Sequence, residues 1–195
     1  MLNNKIKIKG FTLVEVLVAS FLALIIIFLI SLSTIQINKF LKIISTKYTI
    51  SNDCKLLLAR VVNEISKNSN PNEDIHTTLK LTNNEVSFLT TRISENPLRI
   101  DVYMVDIIIS KSIQNKTVLF KLNKRVFWDF NRDSNYQDNE VIENREINLP
   151  AIKEVNDANL SFSKISNMIR VNLYTNFIFR NRNYSLDYYV DIPIN

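Results

Sequence analysis

The chain has 195 residues, 46% of them hydrophobic, a formal charge of +5 and a mean hydropathy of zero. This length and apolar content exclude an intrinsically disordered chain and leave room for one domain, or one domain and an anchor. A single cysteine, Cys54, excludes an internal disulfide, and the charge is too mild to argue by itself for nucleic-acid binding.

The chain opens on a basic stretch, with Lys5, Lys7 and Lys9 before Gly10, the only glycine in the protein. Average usage would supply glycine at about 7% of positions. From Phe11 to Ile30 the run FTLVEVLVASFLALIIIFLI carries one charge, Glu15. About 20 residues at 1.5 Å each cross the hydrocarbon core of a bilayer, and a soluble core helix rarely stays apolar on every face for that long. The run therefore predicts a membrane-spanning helix. A cleaved signal peptide has a shorter apolar region, of about 7–15 residues, closed by small residues. Here the run continues into SLSTIQINKF without such a site. Lysine counting does not orient the span, because Lys39, Lys42 and Lys47 after it balance the three before it.

Neither proline nor glycine occurs between Phe11 and Asn70, so nothing forces the helix to stop at the end of the span. Ile37, Phe40, Leu41, Ile44, Tyr48, Cys54, Leu58, Val61, Val62 and Ile65 recur at three- and four-residue steps, the spacing of one apolar stripe. Asn68-Ser69-Asn70-Pro71 reads as the stop. The sequence thus predicts an apolar half over 11–34, an amphipathic half over 35–70, and a head over 71–195.

The head reads as strands. Thr78–Leu81 and Val86–Thr90 form a hairpin; Arg99–Ser110, Thr117–Trp128, Ala158–Ile165, Met168–Phe179 and Tyr184–Ile192 follow. Turns fall at Gln114-Asn115-Lys116, Ser166-Asn167 and Arg180-Asn181-Arg182-Asn183, where asparagine takes the place of glycine. Ile169, Val171 and Leu173 alternate with Arg170, Asn172 and Tyr174, as in a sheet with one buried face. The expected fold is α+β: a long amino-terminal helix packed on an antiparallel sheet.

Residues suited to catalysis are few. His76 stands alone in a polar loop, Cys54 sits on the apolar stripe, and no phosphate loop or nucleophile–base pair is present, so no enzyme activity is expected. Lys121, Lys124, Arg125, Arg180 and Arg182 read as solvated strand faces. Asp129, Asn131, Asp133, Asn135, Gln137 and Glu140 carry oxygen donors at the spacing of a twelve-residue calcium loop. Ser134 stands where that loop normally needs glycine, and a solvated Asp/Asn-rich connection is the alternative.

Lys9-Gly10-Phe11-Thr12-Leu13-Val14-Glu15, followed by the apolar run, resembles the processing site of type IV pilins and pseudopilins. The resemblance implies a pilin-like fold and cleavage between Gly10 and Phe11 by a prepilin peptidase on the cytoplasmic face. It also implies methylation of the new amino terminus at Phe11. Glu15 matches the family's acid, which in a filament would pair with the amino terminus of a neighbouring subunit. Loss of the leader lysines lowers the formal charge from +5 to +2.

The implied partners are the peptidase, the cytoplasmic membrane and other pilin or pseudopilin subunits. The head would lie outside the cytoplasm, first on a single-pass anchor and then in a periplasmic or surface filament. In its layout the chain is similar to the J-type minor pseudopilins of type II secretion, the W-type minor pilins and their competence-system counterparts. Several pseudopilins hold calcium in loops of the head, which adds weight to Asp129–Glu140. The alternative function is a membrane-anchored binding or adhesion module that uses a pilin-like export signal. No nucleic-acid partner is expected from the charge, although some relatives serve DNA uptake.

Overall fold

The computed structural model describes residues 12–66, 78–95, 98–128, 137, 140–166 and 168–193; at 78–80, 90–95 and 98–102 the backbone alone is described. It opens with one helix, α1 (Leu13–Ser66), followed among the described residues by nine strands. The helix is unbroken over 54 residues, as a stretch without glycine or proline allows. It passes through Ser31, Leu32, Ser33 and Thr34 without interruption. The expected stop at Asn68–Pro71 lies outside the described residues.

The chain divides into two units, Met1–Ser45 and Thr46–Asn195. In the first, the described helix residues present their side chains to the surroundings almost throughout. In the second, α1 becomes one-sided. Ile50, Cys54, Leu57, Leu58, Val61 and Ile65, at helical spacing, are buried. The buried stripe is shorter than the sequence predicts: Ile37, Phe40, Leu41, Ile44 and Tyr48 share the periodicity yet stay exposed. The unit that holds the strands thus takes in α1 from Thr46, rather than starting after the helix.

Two antiparallel sheets pack in this unit, where the sequence suggests one. The larger contains β1 (Thr78–Leu81), β2 (Glu85–Glu95), β3 (Leu98–Gln114), β4 (Thr117–Trp128) and β5 (Val141–Asn148) in that order, with β6 (Ile152–Lys153) also on β4. The smaller contains β7 (Asp157–Ile165), β8 (Met168–Phe179) and β9 (Arg182–Pro193). The chain crosses between them over Leu149–Asn156. Leu149 and Val155 donate backbone N–H bonds to Phe120 and Lys116 in and beside β4, whereas Asn156 donates to Asn176 of β8. Glu154, with φ of 61°, turns the backbone within this crossing. The β1–β2 turn is tied to the smaller sheet by Phe162 N–H donating to the Asn83 carbonyl at 3.2 Å.

Both sheets contribute to one core. Val86, Phe88, Val105, Ile107, Val118, Phe120 and Leu122 from the larger sheet, and Leu160, Phe162, Ile169, Val171, Leu173 and Phe177 from the smaller, cluster with the α1 stripe. The alternation read in β8 is observed: Ile169, Val171 and Leu173 are buried, while Arg170, Asn172 and Tyr174 are not. Tyr103 and Trp128 are register partners on β3 and β4, with stacked rings 6.3 Å apart.

Hairpin turns are made without glycine. Asn115 and Lys116 join β3 to β4 with φ of 47° and 59°, and Arg180 and Asn181 join β8 to β9 with 50° and 60°. These two-residue loops have the doubly positive φ of type I′ turns, which match strand twist but normally favour Asn and Gly. Arg182 and Asn183, expected in the turn, belong to β9 because two residues suffice. The left-handed geometry at Lys116 and Arg180 costs roughly 1 kcal/mol each, which the long flanking ladders offset.

Adjacent leucines of α1 provide a direct test of this packing. Leu57 is fully buried and Leu56 is 54% exposed. In the detergent-solubilised full chain, Leu57→Ala should lower the unfolding free energy of the head by about 2–5 kcal/mol. Leu56→Ala, with the same change in helix propensity, should alter it by less than about 0.5 kcal/mol. Equal effects would contradict the observed helix face.

Candidate processing and assembly segment

The helix start is built by Thr12 and Glu15. Thr12 donates to Glu15 Oε2 twice, from its backbone N–H at 2.8 Å and from Oγ1 at 2.9 Å. The Glu15 N–H donates back to Thr12 Oγ1 at 3.3 Å. This is a capping box, Thr-x-x-Glu, in which each side chain satisfies a backbone group of the other residue. The carboxylate also faces the positive end of the helix dipole. Glu15 therefore has a structural role within its own chain, which the sequence reading did not assign to it. The signal was present in Thr12-Leu13-Val14-Glu15 as four consecutive letters. Gly10 and Phe11, the expected cleavage pair, lie outside the described residues.

Beyond the cap, α1 suits an apolar solvent. It is long and apolar enough to cross a membrane. Three of its hydroxyls are satisfied internally: Ser20, Ser31 and Thr34 donate to the carbonyls of Val16, Ile27 and Ile30 at 2.8–2.9 Å. Each reaches back one turn, so none of these three hydroxyls needs water.

Other expected sites divide differently. Asp129, Asn131, Asp133 and Asn135 of the calcium stretch lie outside the described residues, as does His76. Gln137 and Glu140 are described, and they bond to each other. Gln137 N–H donates to Glu140 Oε2 at 3.0 Å, and Glu140 N–H donates to the Gln137 carbonyl at 2.9 Å. Glu140 is buried. Among the described residues, no group of three or more His, Cys, Asp or Glu side chains is placed to hold a metal ion. Cys54 is buried in the core beside Thr175, and burial pushes its thiol pKa up to about 12. It therefore stays protonated and unreactive at neutral pH.

The basic residues of β4 are paired, not simply solvated. Lys121 meets Glu146 at 2.6 Å, Lys124 meets Glu143 at 3.6 Å, and Arg125 meets the buried Asp106. Ser87 Oγ donates to the other oxygen of Asp106 at 3.0 Å. This correction to the sequence reading follows from register, since Asp106 lies opposite Arg125 and the acids of β5 lie alongside Lys121 and Lys124. On β8, Arg170 makes a bidentate pair with Asp191 at 2.7 Å for both bonds. The pair holds the Asp191 carboxyl below its ordinary pKa and raises that of the guanidinium.

Comparison with known proteins gives a match at the same segment. The family described as the prokaryotic N-terminal methylation motif matches residues 5–31. Comparisons with curated proteins and with solved structures return no match. The motif marks type IV pilin-like substrates of prepilin peptidase, a class of structural rather than enzymatic proteins. Its matched residues include Gly10, Phe11, the Thr12–Glu15 cap and α1 as far as Ser31. The motif and the apolar helix together support single-pass membrane anchoring.

Proposed function

We propose that this protein is a minor pilin or pseudopilin, a non-enzymatic subunit of a type IV pilus-like, type II secretion or competence filament. The observation that carries this reading is the methylation motif at residues 5–31, set on a capped apolar helix that continues into a β-rich head. In this role the chain inserts in the cytoplasmic membrane, loses residues 1–10 to the peptidase, and is methylated at Phe11. It then joins a filament through the apolar half of α1. The J-type and W-type resemblance rests on layout, and the presence of Glu15 favours a place below the filament tip.

The capping box permits a clean test of Glu15. Glutamine also fits the third position of a capping box. Glu15→Gln therefore keeps the helix start and removes only the charge that would meet a neighbouring amino terminus. The variant should insert and be processed as the wild type is, because it adds no charge and leaves the apolar span that follows untouched. After membrane crosslinking it should co-isolate with other pilin-like subunits at a level reduced about tenfold or more, for an ion pair worth over about 1.4 kcal/mol. Undiminished co-isolation would remove the intermolecular role and leave Glu15 as a cap only. Isolation of the wild type without any pilin-like partner would favour the adhesion module.

The calcium loop forms part of the same reading. Asp129, Asn131, Asp133, Asn135, Gln137 and Glu140 would supply oxygens to a hard cation, and exported proteins meet calcium at millimolar levels. Glu140 would have to exchange its bond to Gln137 N–H for the metal. Calcium should raise the melting temperature of the detergent-solubilised protein, chelator should reverse the shift, and Asp129→Ala should abolish it. Identical melts with calcium and chelator would exclude the site.

A further inference from the structure

The first unit leaves two lysines without a role in the account above. If the membrane layer begins past the Glu15 carboxylate, a span of about 20 residues ends at Ile35. Lys39 and Lys42 then lie about 6 and 10 Å beyond it at 1.5 Å per residue, at the depth of the headgroup layer. Both are exposed, and at three residues' separation they share one side of α1. Ile37, Phe40, Leu41 and Ile44 occupy the opposite side and are also exposed.

The local charge has one sign. Between Glu15 and Asp53 the chain contains no acidic residue, and the charged side chains there are Lys39, Lys42 and Lys47. Lys47 differs from the other two, because its ammonium sits 4.9 Å from the centre of the Tyr184 ring, within the head. With the head outside the cytoplasm, these lysines oppose the usual bias of positive charge toward the cytoplasmic side. A long lysine stem can lie on apolar surface while the ammonium reaches the headgroup layer.

We propose that Lys39 and Lys42 form a headgroup site for anionic phospholipid in the leaflet on the head side. The site rests on the membrane-anchored reading of α1. Two ammonium groups on one helix face approach the same phosphate layer, and the facing apolar side chains hold the segment at that depth. The ligand class is the phosphodiester of a lipid with net negative charge. Charge complementarity favours it over a zwitterionic headgroup, whose own ammonium repels the lysines. The site would keep the subunit in an anionic bilayer until assembly draws it out.

The test uses the full chain in phosphatidylcholine vesicles that contain phosphatidylglycerol. Trace spin-labelled analogues of each lipid report the fraction immobilised at the protein surface. To separate the two membrane faces, the leader is first neutralised as Lys5→Gln, Lys7→Gln, Lys9→Gln. That background should still prefer the anionic lipid several-fold, up to about fivefold per lysine at low salt. Adding Lys39→Gln and Lys42→Gln should bring the preference to parity, as should about 1 M salt, where the screening length is about 3 Å. Adding Lys47→Gln alone should change nothing. An unaltered preference after loss of Lys39 and Lys42 would overturn the site while leaving the anchor intact. Failure of the wild type to float with vesicles would overturn the anchor, and the site with it.

Discussion

The exposed apolar surface of α1 is the constraint on which the rest of the structure depends. From Leu13 to Tyr48 most large hydrophobic side chains of the helix are half or more exposed. Such a surface is not stable in water, since every Å² of apolar area left there forfeits about 25 cal/mol. It requires lipid or the helices of other subunits. The cap at Thr12 and Glu15 and the back-bonded hydroxyls of Ser20, Ser31 and Thr34 are what make such a solvent tolerable, because they leave few polar groups in search of water.

The same helix solves a different problem in the head. Two sheets of modest size must bury their inward faces, and four turns of α1 from Ile50 to Ile65 supply an apolar stripe common to both. Polar groups on the side of each sheet away from α1's stripe pair across strands, as in Arg125 with the buried Asp106 and Arg170 with Asp191. The functional consequence is a division of labour along one element. A folding unit is attached to an anchor with no intervening loop, so α1 belongs to both.

Much of this was legible in the sequence, and the exceptions have physical causes. The helix, the hairpins and the alternation of β8 follow from period and from the absence of helix breakers. β5 was missed because it is an edge strand with a single buried side chain, Ile147, so VIENREIN carries no two-residue alternation. The division into two sheets was missed because it depends on the crossing at Leu149–Asn156, whose backbone bonds to both sheets leave no compositional mark. In the amino-terminal segment the opposite occurred. Gly10 and Phe11 resemble a processing site and Glu15 the acid of filament assembly, and the matched motif spans all three. The intrachain bonds of Glu15 follow instead from the Thr12-x-x-Glu15 spacing of a capping box, which is independent of the resemblance.

The central claim is that Gly10–Phe11 is a processing site, and intact-mass measurement of the membrane-extracted protein tests it most directly. With a prepilin peptidase co-expressed, the mass should correspond to residues 11–195 with one added methyl group, and replacement of Gly10 by a bulky residue should retain the full-length mass. A wild-type protein that keeps residues 1–10 and an unmethylated amino terminus in those cells would contradict the account.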